Sequence, residues 1–244
     1  MITSIFYHEI SDSIDTQYTI NLDTFHKQMN ILANEDYVVE GIDGLVRRIE
    51  MNTHIPTKYI LLSFDDGYKS DLIVAEILQK YGFNATFFIT PKHFNRNEHY
   101  LTKDEVKMLS QNFHIGSHGL THSNLTTLKN ENLKMEFINS KHLLEEIIGK
   151  SVDVISAPGG YMNYATKNIG LLNGYNFVAT SIEWPVTKRF MTQRKTINRT
   201  CIRNTFSEST YKKILSNDLS FFMMRRLRAG IYYFPKKLID KKLV

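Results

Sequence analysis

Two adjacent carboxylates, Asp65 and Asp66, close the apolar run in ILLSFDDGYKS (60–70), and Gly67 follows at once. Asp-Gly is ordinary turn chemistry, which accounts for one aspartate and the glycine. It does not account for a second carboxylate placed where the two would repel. Further along, GSHGLTH (116–122) sets His118 and His122 four residues apart. On a helical turn that spacing puts both imidazoles on one face, able to share a metal ion. A His-x-x-x-His pair arises often by chance, but beside a carboxylate pair it gains weight. Two imidazoles and one carboxylate make a three-ligand site with an open position for water, the pattern of catalytic zinc. Cobalt or nickel suits the same donors. The remaining carboxylate then serves as a base toward water whose pKa the ion lowers from 15.7 to about 7. The cation also offsets the repulsion within the pair.

These residues need a scaffold that brings distant segments together, and the pattern supplies one. Short β-like runs alternate with helical repeats. ITSIFYH (2–8), YILLSF (59–64), ATFFIT (85–90), FHIGSH (113–118), VDVISAP (152–158), FVATS (177–181) and RTCIR (199–203) read as strands. Leu22, Phe25, Met29 and Leu32 recur at helical spacing, as do apolar residues over 71–81 and 130–148. Thr102 and Glu105 form a capping-box pattern. Such alternation predicts an α/β fold with a mostly parallel sheet, and about seven units favour a barrel over an open doubly wound sheet. His8, Asp65, Asp66, His118 and APGGY (157–161) each fall at a strand end, while Trp184 and Arg199 flank the last two strands. In a βα barrel the strand C-termini converge on one face. The other histidines (26, 54, 93, 99, 114 and 142) read as surface or structural positions.

Bulk properties narrow the class. The 244 residues suffice for one large domain, and 42% hydrophobic content supports a packed core. The single cysteine, Cys201, excludes an intrachain disulfide framework and fits a reducing compartment. No leader-like N-terminus and no long apolar span is read from the sequence, so a cytoplasmic location is expected. Net charge is +5, yet residues 212–244 carry nine Lys/Arg against two Asp, which leaves the body slightly negative. Nucleic acid is therefore not an expected partner of the body. No Gly-rich phosphate-loop motif occurs.

SFDDG, SHGLTH and APGGY, in this order, resemble the motifs of polysaccharide deacetylases of carbohydrate esterase family 4. The resemblance covers residues 1 to about 215. It implies a distorted (β/α)7 barrel and metal-dependent N-deacetylation of sugars. It implies Asp65 as general base, and Asp66, His118 and His122 as ligands of one divalent ion, zinc before cobalt or nickel. Pro158, Gly159 and Tyr161 would belong to the substrate groove, with the Tyr161 N–H at the developing oxyanion. Trp184 would line the acetyl pocket. Two features depart from the family pattern. Ala157 stands where an arginine usually braces the catalytic aspartate, and Arg199 is the nearest substitute. No histidine follows His142 to serve as general acid. FYHEI resembles the Tyr-His of relatives with permuted motifs, which points to His8 for that role.

The expectation is thus a barrel over 1–215 followed by a basic amphipathic tail over 216–244. The expected activity is removal of an N-acetyl group from an amino sugar in a glycan or glycan precursor, in surface polysaccharide synthesis. The tail, with Leu219, Phe222, Met223 and Leu227 among its arginines, either packs on the barrel or touches an anionic membrane surface. Two other readings of the chain are an inactive barrel that binds glycans and a metal-dependent amidohydrolase acting on another acyl amide.

Overall fold

In the computed structural model the alternating pattern becomes a ring of parallel strands enclosed by helices; residues 1–13, 16–94 and 96–227 are described. The elements in chain order are β1 (Thr3–Tyr7), β2 (Glu9–Ile10), β3 (Thr19–Ile20), α1 (Leu22–Asn34), β4 (Val38–Glu40), α2 (Ile42–Glu50), β5 (Tyr59–Phe64), α3 (Asp71–Tyr81), β6 (Thr86–Ile89) and α4 (Lys103–Leu109). They continue with β7 (His114–Ser117), α5 (Asn130–Ile148), β8 (Val154–Ser156), α6 (Tyr164–Leu172), β9 (Phe177–Thr180), α7 (Lys188–Arg194), β10 (Thr196–Asn198), β11 (Thr200–Cys201) and α8 (Glu208–Leu215). A further helical stretch covers 219–227.

Nine strands form the main sheet, in the order β10-β9-β8-β7-β6-β5-β1-β11, with β4 added beside β5. Its two ends are one continuous piece of chain. β10 pairs with β9 through Thr196–Asn198, and β11 pairs with β1 through Thr200 and Cys201. The stretch 196–201 is therefore a single stave, interrupted only at Arg199, that closes the ring. Counting it once, the staves are β1, β5, β6, β7, β8, β9 and β10/β11, the seven of a (β/α)7 barrel. An open doubly wound sheet is excluded by this closure.

Alternation along each strand separates two cores. In β5, Ile60, Leu62 and Phe64 pack outward against the helices, whereas Tyr59 and Leu61 fill the barrel interior. Ser63 and Asp65 continue the inward row, so the interior turns from apolar to polar toward the strand C-termini. Capping follows the sequence: Thr102 accepts from the Glu105 N–H while the Glu105 side chain accepts from the Thr102 N–H. β4, α2, α6, α7 and α8 have no counterpart in the sequence reading, since their apolar repeats are short.

The described part of the basic arm packs on the barrel on one side and is exposed on the other. Phe222 is buried and meets the Trp184 ring edge-on at 6.3 Å, and Arg225 pairs with Glu183. Leu219, Met223 and Leu227 instead remain exposed. Residues 228–244 lie outside the described residues. No described helix is long and apolar enough to cross a membrane.

Close packing of the interior makes one position intolerant of growth. A Cβ on Gly116 of β7 would stand 2.5 Å from two carbons of the buried Phe88 ring. We expect Gly116→Ala to cost about 1–3 kcal/mol in urea unfolding. An unchanged midpoint would mean that Phe88 yields without strain.

Candidate active site

The DDG turn is built on left-handed backbone. Asp66 has φ 82° and Gly67 φ 75°, and a Cβ on Gly67 would crowd Ile89 at 3.1 Å. Glycine adopts this conformation freely, but aspartate there is strained, as is His122 at φ 63°. The strain keeps Asp65 on the inward row of β5 while it turns Asp66 toward the histidine loop. That loop is tied to helix α5 by Glu136, which accepts from the N–H groups of Leu120 and Thr121 at 2.8 and 3.1 Å and from Thr121 Oγ1 at 2.6 Å.

His118 and His122 converge on Asp66. His118 Nε2 lies 3.2 Å and His122 Nε2 2.9 Å from Asp66 Oδ1, an oxygen that is buried and without a hydrogen-bond partner among the described residues. His118 Nδ1 lies 3.0 Å from the Ser156 carbonyl and donates to it, which in the neutral ring leaves Nε2 as a bare lone pair. Bare nitrogen and carboxylate oxygen, both acceptors, face each other across a gap that only a proton or a cation can satisfy. The three donor atoms lie within 4.8 Å of one another. This donor set fits a divalent ion bound by two imidazoles and one carboxylate.

Asp65 is held differently. Arg199 grips it at both oxygens, Nη1 to Oδ1 at 2.7 Å and Nη2 to Oδ2 at 2.8 Å. The other donors of Arg199 reach Ser63 Oγ at 3.0 Å, Ser156 Oγ at 2.6 Å and the Thr180 carbonyl at 3.5 Å. Its guanidinium lies between the rings of Phe6 and Phe88, 4.2 and 4.9 Å from their centroids. Ser156 also donates to Asp65 Oδ2 at 3.1 Å. A carboxylate has about four lone-pair positions, so one on Oδ1 stays open for a further proton donor. Burial alone would raise the Asp65 carboxyl, but the Arg199 charge outweighs it and holds the group below the usual carboxylate range. Burial likewise opposes Asp66, and a proton carried between it and the facing His118 and His122 rings, in the place an ion would take, holds it well below that range.

His8 follows β1, whose Tyr7 is in register with Phe64 of β5, so His8 adjoins the carboxylate turn. Burial lowers its pKa, with Asp65 and Asp66 pulling the other way. Its ring packs on Tyr18 at 5.0 Å, and Nδ1 lies 3.6 Å from Cys201 Sγ. His8, Asp65, Asp66, His118 and His122 all line one cavity of about 590 Å³, together with Glu9, Tyr68, His99, Gly159, Gly160, Cys201 and Arg203.

The APGGY segment joins this cavity through Ala157, Gly159 and Gly160. Pro158 is buried, and Gly119 of the histidine loop has room only for its hydrogen, since a Cβ there would stand 3.3 Å from the Pro158 ring. The Tyr161 N–H is engaged by the Pro158 carbonyl at 3.3 Å and its ring is exposed, so neither stands as an open donor to the cavity. Trp184 packs against Phe222 and beneath Arg226 instead of lining the cavity. His99 and His93, read as surface or structural, lie close to the Asp66–His118–His122 cluster. His99 lines the cavity and pairs with Glu9 at 3.2 Å, and His93 is buried with its ring 5.7 Å from that of His122. Their position just beyond the C-terminal end of β6 was the available signal. Ser156 and Glu136 carried none, being common residues whose partners are remote in sequence.

The polysaccharide deacetylase family model matches residues 52–178. Bacillus subtilis YxkH, classed as a polysaccharide deacetylase, is 32% identical over 126 residues, covering 51% of this chain and 45% of that protein. The peptidoglycan-N-acetylmuramic acid deacetylase PdaA of Bacillus subtilis is 29% identical over 139 residues, covering 54% of this chain and 51% of its own. The chain thus spans about half the length of these curated relatives. Among solved structures, the Streptococcus pyogenes deacetylase PplD in complex with acetate superposes with a TM-score of 0.78 at 21% identity, covering 88% of this chain and 97% of that one. At that identity the likeness is one of fold.

Separate duties for the two aspartates can be tested by elemental analysis. After equilibration with zinc, cobalt or nickel, the protein should retain about one ion per chain. Asp66→Ala, His118→Ala and His122→Ala should lose it, whereas Asp65→Asn should keep it. Equal loss in all four would merge the two roles.

Proposed function

The chain belongs to the polysaccharide deacetylase family, and from that premise we propose that it hydrolyses the N-acetyl group of an amino sugar with the help of one divalent ion. The observation that carries this reading is the unpartnered Asp66 Oδ1 facing two histidine nitrogens beside a clamped Asp65. Asp66, His118 and His122 would hold the ion, which when bound supplies a Lewis acid for the acyl oxygen and acidifies water.

The chain's own residues do the rest. Arg199 keeps Asp65 ionised, and the open position on Oδ1 accepts the proton of the attacking water. His8, beside that carboxylate on the neighbouring stave, passes a proton to the departing sugar nitrogen and so releases a free amine and acetate. The names of the relatives support a surface glycan or its precursor as substrate. Zinc heads the candidate ions because its tetrahedral preference suits three protein donors and an open position.

The exposed stripe of Leu219, Met223 and Leu227, one turn apart on the 219–227 helix and flanked by the exposed Arg226, supports a peripheral contact with an anionic membrane. Flotation with anionic liposomes should separate the protein from a Met223→Ser/Leu227→Ser variant. Equal binding by the two would remove the membrane contact.

For the reaction itself, acetate release from N-acetylglucosamine oligomers should fall about 10²–10⁴-fold in Asp65→Asn and comparably in His8→Ala, mostly in kcat. Acetate release by Asp65→Asn at the rate of the unaltered protein would refute the proton-transfer scheme.

A further inference from the structure

Arg199 and Cys201 of the closing stave face the interior, and Arg203, two residues beyond its end, lines the same cavity as Cys201. Arg199 is consumed by Asp65, and Cys201 contacts His8. Arg203 reaches the cavity wall, where among the described lining residues there is no lysine and no second arginine.

Its counter-charge is shared unequally. Arg203 Nη2 stands 3.6 Å from Glu183 Oε1, but the same carboxylate is taken in a two-pronged grip by Arg225, Nε to Oε2 at 2.5 Å and Nη2 to Oε1 at 2.8 Å. One carboxylate between two guanidinium groups leaves a net positive charge, and the looser partner is the one in the cavity. Arg203 Nε is buried without a hydrogen-bond partner among the described residues, and the guanidinium lies 5.9 Å from the Tyr18 ring. The other charges of the cavity are already balanced or committed. Asp65 is matched by Arg199, Asp66 faces two histidines, and Glu9 pairs with His99.

A half-buried guanidinium whose Nη groups make, among the described residues, only the one long contact to Glu183 fits a planar anion, since its fork matches carboxylate and phosphate oxygens in pairs. We propose that the cavity takes an amino sugar that also bears an anionic substituent, a phosphoryl or carboxyl group, and that Arg203 recognises that group. The inference rests on the deacetylase reading for the reaction but not for the binding, so the two can fail separately.

Two measurements decide it. In the first, kcat/KM for acetate release is compared between neutral N-acetylglucosamine trimer and two anionic probes, N-acetylglucosamine 1-phosphate and N-acetylmuramic acid. The two anionic probes distinguish a phosphoryl from a carboxyl group. Arg203→Gln should lower the ratio of anionic to neutral turnover about 10- to 100-fold, and Arg203→Lys should recover part of it. An equal fall for neutral and anionic substrates would assign Arg203 a structural role and overturn the proposal. In the second, calorimetry on Asp65→Asn protein reads binding without turnover. Tighter binding of an anionic probe than of N-acetylglucosamine, lost on adding Arg203→Gln, supports the proposal even if no acetate is ever released. No difference between charged and neutral sugar overturns it whatever the activity.

Discussion

Everything in this site is arranged around a buried guanidinium that grips a buried carboxylate. Taking either Arg199 or Asp65 out of water alone would cost several kcal/mol. The pair is tolerated because the geometry is two-pronged, two serine hydroxyls and a backbone carbonyl complete the polar contacts, and two aromatic faces cover the cation. The same contacts leave a lone-pair position open on Asp65 Oδ1 and occupy both on Oδ2. Stability of the barrel interior and the ionised state of Asp65 are therefore one property. The polar upper half of the barrel, Ser63 and Ser156 included, exists to surround this pair.

Asp66 shows the complementary solution. It has no arginine and occupies a strained left-handed conformation next to Gly67. Its unpartnered oxygen faces two imidazole nitrogens, and that of His118, in the neutral tautomer fixed by the Ser156 carbonyl, brings no hydrogen. Such an arrangement stores unfavourable contacts that a bound cation would relieve. Two neighbouring residues of one type thus differ in backbone and surroundings, because one faces into the barrel and the other across its rim.

Much of this was legible from the chain. YILLSF is a strand over the residues expected, 71–81 and 130–148 are helices as spaced, and Asp65, Asp66, His118, His122 and His8 meet in one cavity because strand ends in a barrel share a face. Arg199 could be suspected from the missing arginine at Ala157, but only the register of the closing stave brings it within reach of Asp65. Less legible were contacts that depend on a few ångströms across long sequence gaps. Trp184 reads as a pocket residue in the sequence yet spends its surface on Phe222 of the arm. Tyr161 offers an amide in the motif, which a tight turn already claims. Glu136 looks like any solvated helix residue until the histidine loop folds over it.

The closing stave also has a temporal meaning. Asp65 and Arg199 are 134 residues apart, and both histidines of the site precede Arg199 in the chain. A ribosome-bound fragment that already contains SFDDG and SHGLTH still lacks the cation that balances its inward carboxylate, and its barrel has an open seam between β9 and β1. The last stave to be synthesised shuts the seam and delivers the cation in the same movement. Closure of the ring thus coincides with neutralisation of Asp65, and a chain cut short of Arg199 has neither.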